Sequence, residues 1–353
     1  MNISQMKPGT GIRPMKLPLG EVPHLVLEPT QRCNLGCRAC YNQFRAPDKS
    51  LAAIRTEIDL GLSKRRLETI SILGGEPTLH PDFNPMILYL LERGFDVHVF
   101  TSGIMANAKL DEAVALFRNL PAPRLSFICN INDPQMSHVP LAEMESVRRF
   151  LGAFGEMVSP GFNIYRTDFN LTFLFDLINE FGLRRHIRLG IAHPIPGVNN
   201  VFIPVENIDT VIERLFSFMP MFESLRIKPG LDCGFPICRF TPRQLGWMTR
   251  LTGGKNDFGC GPVVDIGPDM SLWPCFPLSS FHKRSIFEFN SMREIVDFYI
   301  QLHQKIRVEV GGIYEECDSC WSREDGICMG GCAAQILSRF QKEAPVRMRE
   351  MYP

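Results

Sequence analysis

The chain has 353 residues, of which 45% are hydrophobic and 22% charged, with Lys plus Arg and Asp plus Glu both at 38. That composition excludes an intrinsically disordered polypeptide and leaves room for one large core or two smaller ones. Balanced charge gives no global field for nucleic acid or an anionic membrane, and neither a signal-peptide core in Met1–Gly20 nor a long uncharged apolar run follows, so the chain reads as cytoplasmic, with no membrane or nucleic-acid partner.

Short β-branched runs alternate with helix-like segments over the first two-thirds. His24–Thr30 is the first predicted strand, followed by a cysteine loop and a helix over Ser50–Lys64. Thr69–Leu73 is the next strand, ending at Gly74-Gly75, with a helix over Phe83–Arg93. Val97–Thr101 and Leu125–Asn130 are strands around a helix over Lys109–Phe117, and Leu141–Leu151 is helical. Gly161–Tyr165, His186–Ile191 and Leu225–Lys228 complete the strands, with helices over Leu171–Phe181 and Val205–Phe218. About seven β/α units form a parallel sheet covered by helices, with reactive groups at the carboxyl ends of the strands. The fold class is therefore α/β, a partial (β/α)6-type TIM barrel.

After Pro229 the rhythm changes. Helices are expected over Pro242–Leu251, Met292–His303 and Ala333–Lys342, and a hairpin over Val263–Trp273 turning at Gly267-Pro268-Asp269. Cysteines are dense here, which points to metal staples rather than an apolar core alone. The expected division is an N-terminal extension over residues 1–23, a barrel over 24–230 and a cysteine-rich auxiliary domain over 231–353.

Twelve cysteines in a reducing compartment call for an explanation other than disulfides. Cys33, Cys37 and Cys40 lie in one loop, and Cys129 stands alone in an apolar strand as a small core residue. The other eight are Cys233, Cys238, Cys260, Cys275, Cys317, Cys320, Cys328 and Cys332. The first three have no fourth cysteine or histidine nearby, so a cubic cluster held there keeps one iron open. A structural zinc site wants four protein ligands, and zinc remains the alternative from spacing alone.

Cys33-x3-Cys37-x2-Cys40 after a first strand, with Gly74-Gly75-Glu76-Pro77 after the second, resembles the radical S-adenosylmethionine (SAM) superfamily. The resemblance implies an oxygen-sensitive [4Fe-4S] cluster on the three cysteines and SAM as cofactor. It also implies reductive cleavage to a 5′-deoxyadenosyl radical and a flavodoxin- or ferredoxin-type electron donor. Gly74, Gly75, Glu76 and Pro77 then position the methionyl ammonium, toward which Glu76 offers a negative acceptor. Ala39 stands where relatives often carry an aromatic residue, leaving Tyr41 to stack or donate instead. Thr101-Ser102-Gly103 resembles the family's polar turn after the third strand, and Asn163, Tyr165, Gly190 and Ile191 at the ends of the fifth and sixth match its ribose and adenine regions.

The eight later cysteines resemble a SPASM extension with two auxiliary [4Fe-4S] clusters, giving three clusters in all. Seven residues separate Cys320 from Cys328 where five are commoner, Met270 replaces an expected glycine, and no cysteine follows Cys332. Cys233 and Cys238 restore the count. The expected arrangement places Cys238 with Cys260, Cys275 and Cys332, and Cys233 with Cys317, Cys320 and Cys328. Phe276 stands where sulfatase maturases of this class carry an aspartate, and only about 23 residues precede the first strand, too few for a leader-binding unit. These features favour hydrogen abstraction from a small molecule with net oxidation through the auxiliary clusters. The alternatives are peptide or protein modification (oxidation, crosslinking or epimerisation) and a non-catalytic iron–sulfur electron carrier.

Overall fold

The computed structural model describes residues 24–42, 46–62, 68–120, 124–134, 141–254, 259–343 and 348. The expected N-terminal extension lies outside them.

Seven parallel strands follow one another across a single sheet. They are β1 (His24–Thr30), β2 (Thr69–Gly74), β3 (Asp96–Thr101), β4 (Leu125–Asn130), β5 (Val158–Ile164), β6 (His186–Ile191) and β7 (Lys228–Leu231). The crossovers are α1 (Leu51–Leu62), α2 (Phe83–Glu92), α3 (Asn107–Phe117), α4 (Leu141–Phe154), α5 (Thr172–Phe181), and the pair α6 (Ile208–Ser217) and α7 (Met219–Ser224). Strand alternation sorts the two faces. Val97 and Val99 of β3 are fully buried with Leu27, Ile72 and Phe127 in the core shared with the helices, whereas His98 and Phe100 look into the half-buried lumen. The helices follow their apolar stripes. Leu174, Phe175, Leu177 and Ile178 of α5 are buried, at about 1.5–3 kcal/mol for each fully buried side chain, and Gly182 ends the helix in the left-handed region.

Two strands sit differently from the sequence expectation, and a proline explains each. β5 begins at Val158 rather than Gly161 because Pro160 is tolerated inside it: Gly161 O accepts from Ile131 N on the β4 side, so Pro160 faces β6, where pairing starts only at Gly161. The final parallel strand is Lys228–Leu231, not Leu225–Lys228. Pro229 lies within this edge strand, and α7 and its C-cap at Leu225 occupy the preceding residues.

The cysteine-rich region continues the same sheet past β1. After α8 (Pro242–Thr252), which starts with a Thr241/Gln244 capping box, β8 (Asp265–Ile266) pairs parallel to β1. β9 (Ser271–Trp273) returns antiparallel through the expected hairpin, and β10 (Arg284–Ser285) closes the edge. α9 (Met292–Glu309) runs beyond the expected His303, and α10 (Trp321–Glu324) and α11 (Ala333–Glu343) complete the region. No helix of the described residues is long and apolar enough to cross a membrane.

Candidate active site and cysteine clusters

β1 delivers the Cys33–Cys40 loop to the carboxyl end of the sheet, and the adjacent end of β2 delivers the Gly74-Gly75-Glu76 turn. Backbone bonds stitch the two together: Gly75 N donates to Thr30 O at 3.0 Å and Glu76 N to Arg32 O at 2.7 Å. Glycine is required in both places. A Cβ on Gly74, at φ +122°, would meet Thr30 O at 2.5 Å, and one on Gly75 would meet Arg32 O at 2.1 Å. Asp48 holds the loop from the other side, accepting from Thr30 Oγ1 at 2.7 Å and from the Arg32 guanidinium.

Glu76 is 2% exposed, and its carboxylate faces the neighbouring strand. Oε1 accepts from Thr78 N and Oγ1 and from Thr101 Oγ1, and Oε2 accepts from Ser102 N and Oγ, the last three bonds at 2.7 Å. The side chain thus clamps the end of β2 to that of β3 and fixes the turn whose backbone faces the cysteine loop. Pro77 begins the 3-10 turn that follows. Ser102 also lines a shallow open cleft with Leu35, Ile104, Asn130, Asn132 and Met144, Leu35 belonging to the cysteine loop itself.

Tyr41, next to Cys40, reaches the end of β6. Its hydroxyl accepts from His193 N at 2.7 Å and lies 3.4 Å from Ile191 O, and burial pushes the phenol far above its ordinary range. Asn163 and Gly190 belong to a lumen network that sequence reasoning missed. Arg188 of β6 donates to Asn130 and Asn163, pairs with Asp232, and lies 5.4 Å from the Phe100 ring centroid. An arginine in a predicted strand gives no hint that it gathers four other strands. A guanidinium only donates, so both asparagines turn their oxygens to it.

Cys33 and Cys37 are exposed and Cys40 half-buried. Leu35 N points at Cys33 Sγ (3.4 Å) and Asn42 N at Cys40 Sγ (3.3 Å), contacts that favour thiolate. The protein mass behind Cys37 nevertheless pushes its thiol up to about 11, opposed by the Asn132 side chain. Such thiols ionise at neutral pH only when a metal replaces the proton. Among the described residues no three His, Cys, Asp or Glu side chains gather tightly enough for one ion. A cube assigns each thiolate its own iron, so that grouping is not its requirement. Three soft ligands in one loop and amide donors toward two of the sulfurs fit a [4Fe-4S] cluster with one free iron.

The eight later cysteines divide into two neighbourhoods. Cys275 is surrounded by Cys332, Cys260 and Cys233, and Cys238 by Cys328, Cys317 and Cys320. Burial, then this crowding, raises both thiols, Cys238 to about 11. Cys129 is fully buried, as expected of a core residue.

Residues 27–156 match the family described as Radical SAM superfamily. An S-adenosylmethionine-dependent nucleotide dehydratase of Selenomonas ruminantium is 35% identical over 86 residues, 24% of this chain and 31% of that protein. A tungsten-containing aldehyde ferredoxin oxidoreductase cofactor-modifying protein of Pyrococcus furiosus is 31% identical over 96 residues, 26% of this chain and 27% of its own. The matched stretches therefore span less than a third of either curated relative. Among solved structures, Streptococcus suis SuiB bound to its precursor peptide SuiA superposes with a TM-score of 0.61 at 15% identity, over 88% of this chain and 72% of that one. The anSMEcpe structure with AdoMet and the Cp18Cys peptide gives 0.57 at 15% identity, over 93% and 98%. Residues 27–156 thus carry a Radical SAM superfamily domain, and over most of its length the chain shares the fold of SuiB and anSMEcpe.

Proposed function

We propose that this chain is a three-cluster radical SAM oxidoreductase that modifies a peptide or protein side chain by hydrogen abstraction. The observation that carries the first step is the stitching of the cysteine loop to the glycine turn, which brings cluster ligands and cofactor cradle to one point on the sheet's carboxyl end. Cys33, Cys37 and Cys40 would hold a [4Fe-4S] cluster, and that cluster would supply the electron for the reductive SAM cleavage that generates the abstracting radical. The chain's own residues orient and shield: Gly74, Gly75 and Pro77 shape the turn, Glu76 and Ser102 hold it, and Tyr41 with Gly190, Ile191 and Asn163 shapes the wall facing the adenosine. A displacement near 1 Å can cost about 10²-fold in a positioned reaction, so this stitching is part of catalysis.

The sequence leans toward a small-molecule substrate, whereas the fold neighbours that carry bound peptides favour the peptide alternative. Two auxiliary clusters on the later cysteines would accept the electron released by a substrate radical, and a flavodoxin- or ferredoxin-type protein would supply the first electron in the cytoplasm. A pure electron carrier leaves the glycine turn without a purpose. The test is anaerobic reconstitution with deuterated peptide pools and deuterated metabolite pools, reading label in 5′-deoxyadenosine. Label from peptides is expected; label from metabolites alone would overturn the peptide reading, and absence of reductive SAM cleavage would overturn the whole assignment.

A further inference from the structure

We propose that one short loop, Cys233–Cys238, supplies the fourth ligand of both auxiliary clusters: Cys233 joins Cys260, Cys275 and Cys332, while Cys238 joins Cys317, Cys320 and Cys328. This rests on the three-cluster reading and adds to it a bridge between two metal centres.

The loop leaves β7 and is pinned at each end to a different neighbourhood. At the first end His193 Nε2 lies 3.4 Å from Cys233 O, and a Cβ on Gly234, at φ +104°, would come within 2.2 Å of the His193 ring. Cys260 and Cys332 are neighbours on that side. At the other end Cys238 sits in the 3-10 turn Ile237–Arg239. Arg239 next to it lies 4.9 Å from the ring centroid of Tyr314, three residues before Cys317, and bonds Asp209 of α6. Two arginines keep the neighbourhoods apart: Arg307 donates to Cys260 O at 2.7 Å, and Arg323 to Cys317 O at 2.9 Å and to Arg307 O.

Five residue steps span at most about 18 Å, so the loop limits the separation of the two ligand Cα atoms. Pro236 removes some of the slack. The auxiliary centres are thus coupled covalently through one segment rather than held by independent knuckles.

The test uses full-length, anaerobically reconstituted protein and does not depend on turnover. Wild type should hold about twelve iron. In the Cys317→Ala/Cys320→Ala background, with about eight remaining, adding Cys238→Ala should remove no more iron, whereas adding Cys233→Ala should make further iron labile to a chelator. The Cys260→Ala/Cys275→Ala background should give the opposite. Should either background fail to fold, single serine variants decide by EPR of the reduced protein: Cys233→Ser should perturb the signal that Cys275→Ser perturbs, and Cys238→Ser that of Cys320→Ser. The reverse pairing with twelve iron present overturns the loop assignment alone. Wild type holding about four iron removes the three-cluster reading and this assignment with it.

Discussion

Replacing Glu76 by glutamine separates two ways in which that residue serves the cofactor. Its carboxylate accepts five hydrogen bonds, three at Oε1 and two at Oε2. An amide keeps one accepting oxygen and gains a nitrogen that can only donate. The hydroxyls of Thr78, Thr101 and Ser102 can rotate to accept from that nitrogen, but the backbone N–H of Thr78 or of Ser102 cannot. Whichever way the amide turns, one buried backbone donor is stranded, at about 1–3 kcal/mol, and the remaining bonds lose their charge assistance. The expected loss is about 2–4 kcal/mol of stability. For 353 residues, with an unfolding entropy near 2.1 cal/mol/K per residue, that lowers Tm by about 3–5 °C. The assay is anaerobic thermal unfolding of reconstituted protein alongside SAM binding and 5′-deoxyadenosine formation. Both should weaken together, and Thr101→Val, which removes one donor at the clamp, should produce a smaller version of the same pair of effects. Normal stability with SAM binding abolished would refute the clamp and make Glu76 a direct ligand of the methionyl ammonium.

Gly75→Ala should prevent the close approach of turn and loop and lose the iron of the first cluster, while Gly36→Ala, whose added methyl meets nothing within 4 Å, should match wild type in iron content and Tm. Replacing Cys33, Cys37 and Cys40 together with alanine should remove about a third of the iron and all SAM cleavage, leaving the auxiliary EPR signals in place. Burial raises the Glu57 carboxyl from its ordinary 4.5 to about 7, with Lys49 opposing at 2.5 Å. The folded chain therefore binds that proton better than the unfolded one, and the stability it brings is full below about 4.5 and lost as pH rises through about 7. Glu57→Gln should flatten the dependence of the denaturant midpoint on pH between about 6 and 8, while costing about 3–5 kcal/mol by leaving the buried Lys49 without its counter-charge.

The parallel strands were legible because β-branched runs recur with turns between them, and β1, β4 and β6 span the residues their composition marks out. Both misplaced strands contain proline, whose effect depends on which neighbour its missing N–H faces, a fact of register that a linear sequence does not carry. The cysteine and glycine motifs were visible because each lies within one short segment. Their stitching to Thr30 and Arg32 was not, since it is a backbone contact between different strand ends. The proposed grouping of Cys233 and Cys238 was not legible for a related reason: it rests on His193, Arg239 and Tyr314, which touch the loop only after the barrel and the later region have folded together.

That joint folding also explains how a cluster loop near the start of the chain is held against ligands more than two hundred residues later. β8 extends the sheet from β1, so the strand that ends at the first cysteine loop is paired directly with the hairpin between Cys260 and Cys275. Lys49, just beyond that loop, is fully buried and donates both to Glu57 of α1 and to Ile266 O of β8. Its own carbonyl meets the His80 ring at 2.8 Å, beside the glycine turn. On the opposite side Tyr41 ties the loop to His193, whose ring rests on Cys233. On the proposed function, chemistry that begins on the first three cysteines and finishes by passing an electron to the later ones would need a fixed separation between them. Sheet pairing, the Lys49 bond to Ile266 O and the Tyr41–His193 contact supply it through three connections.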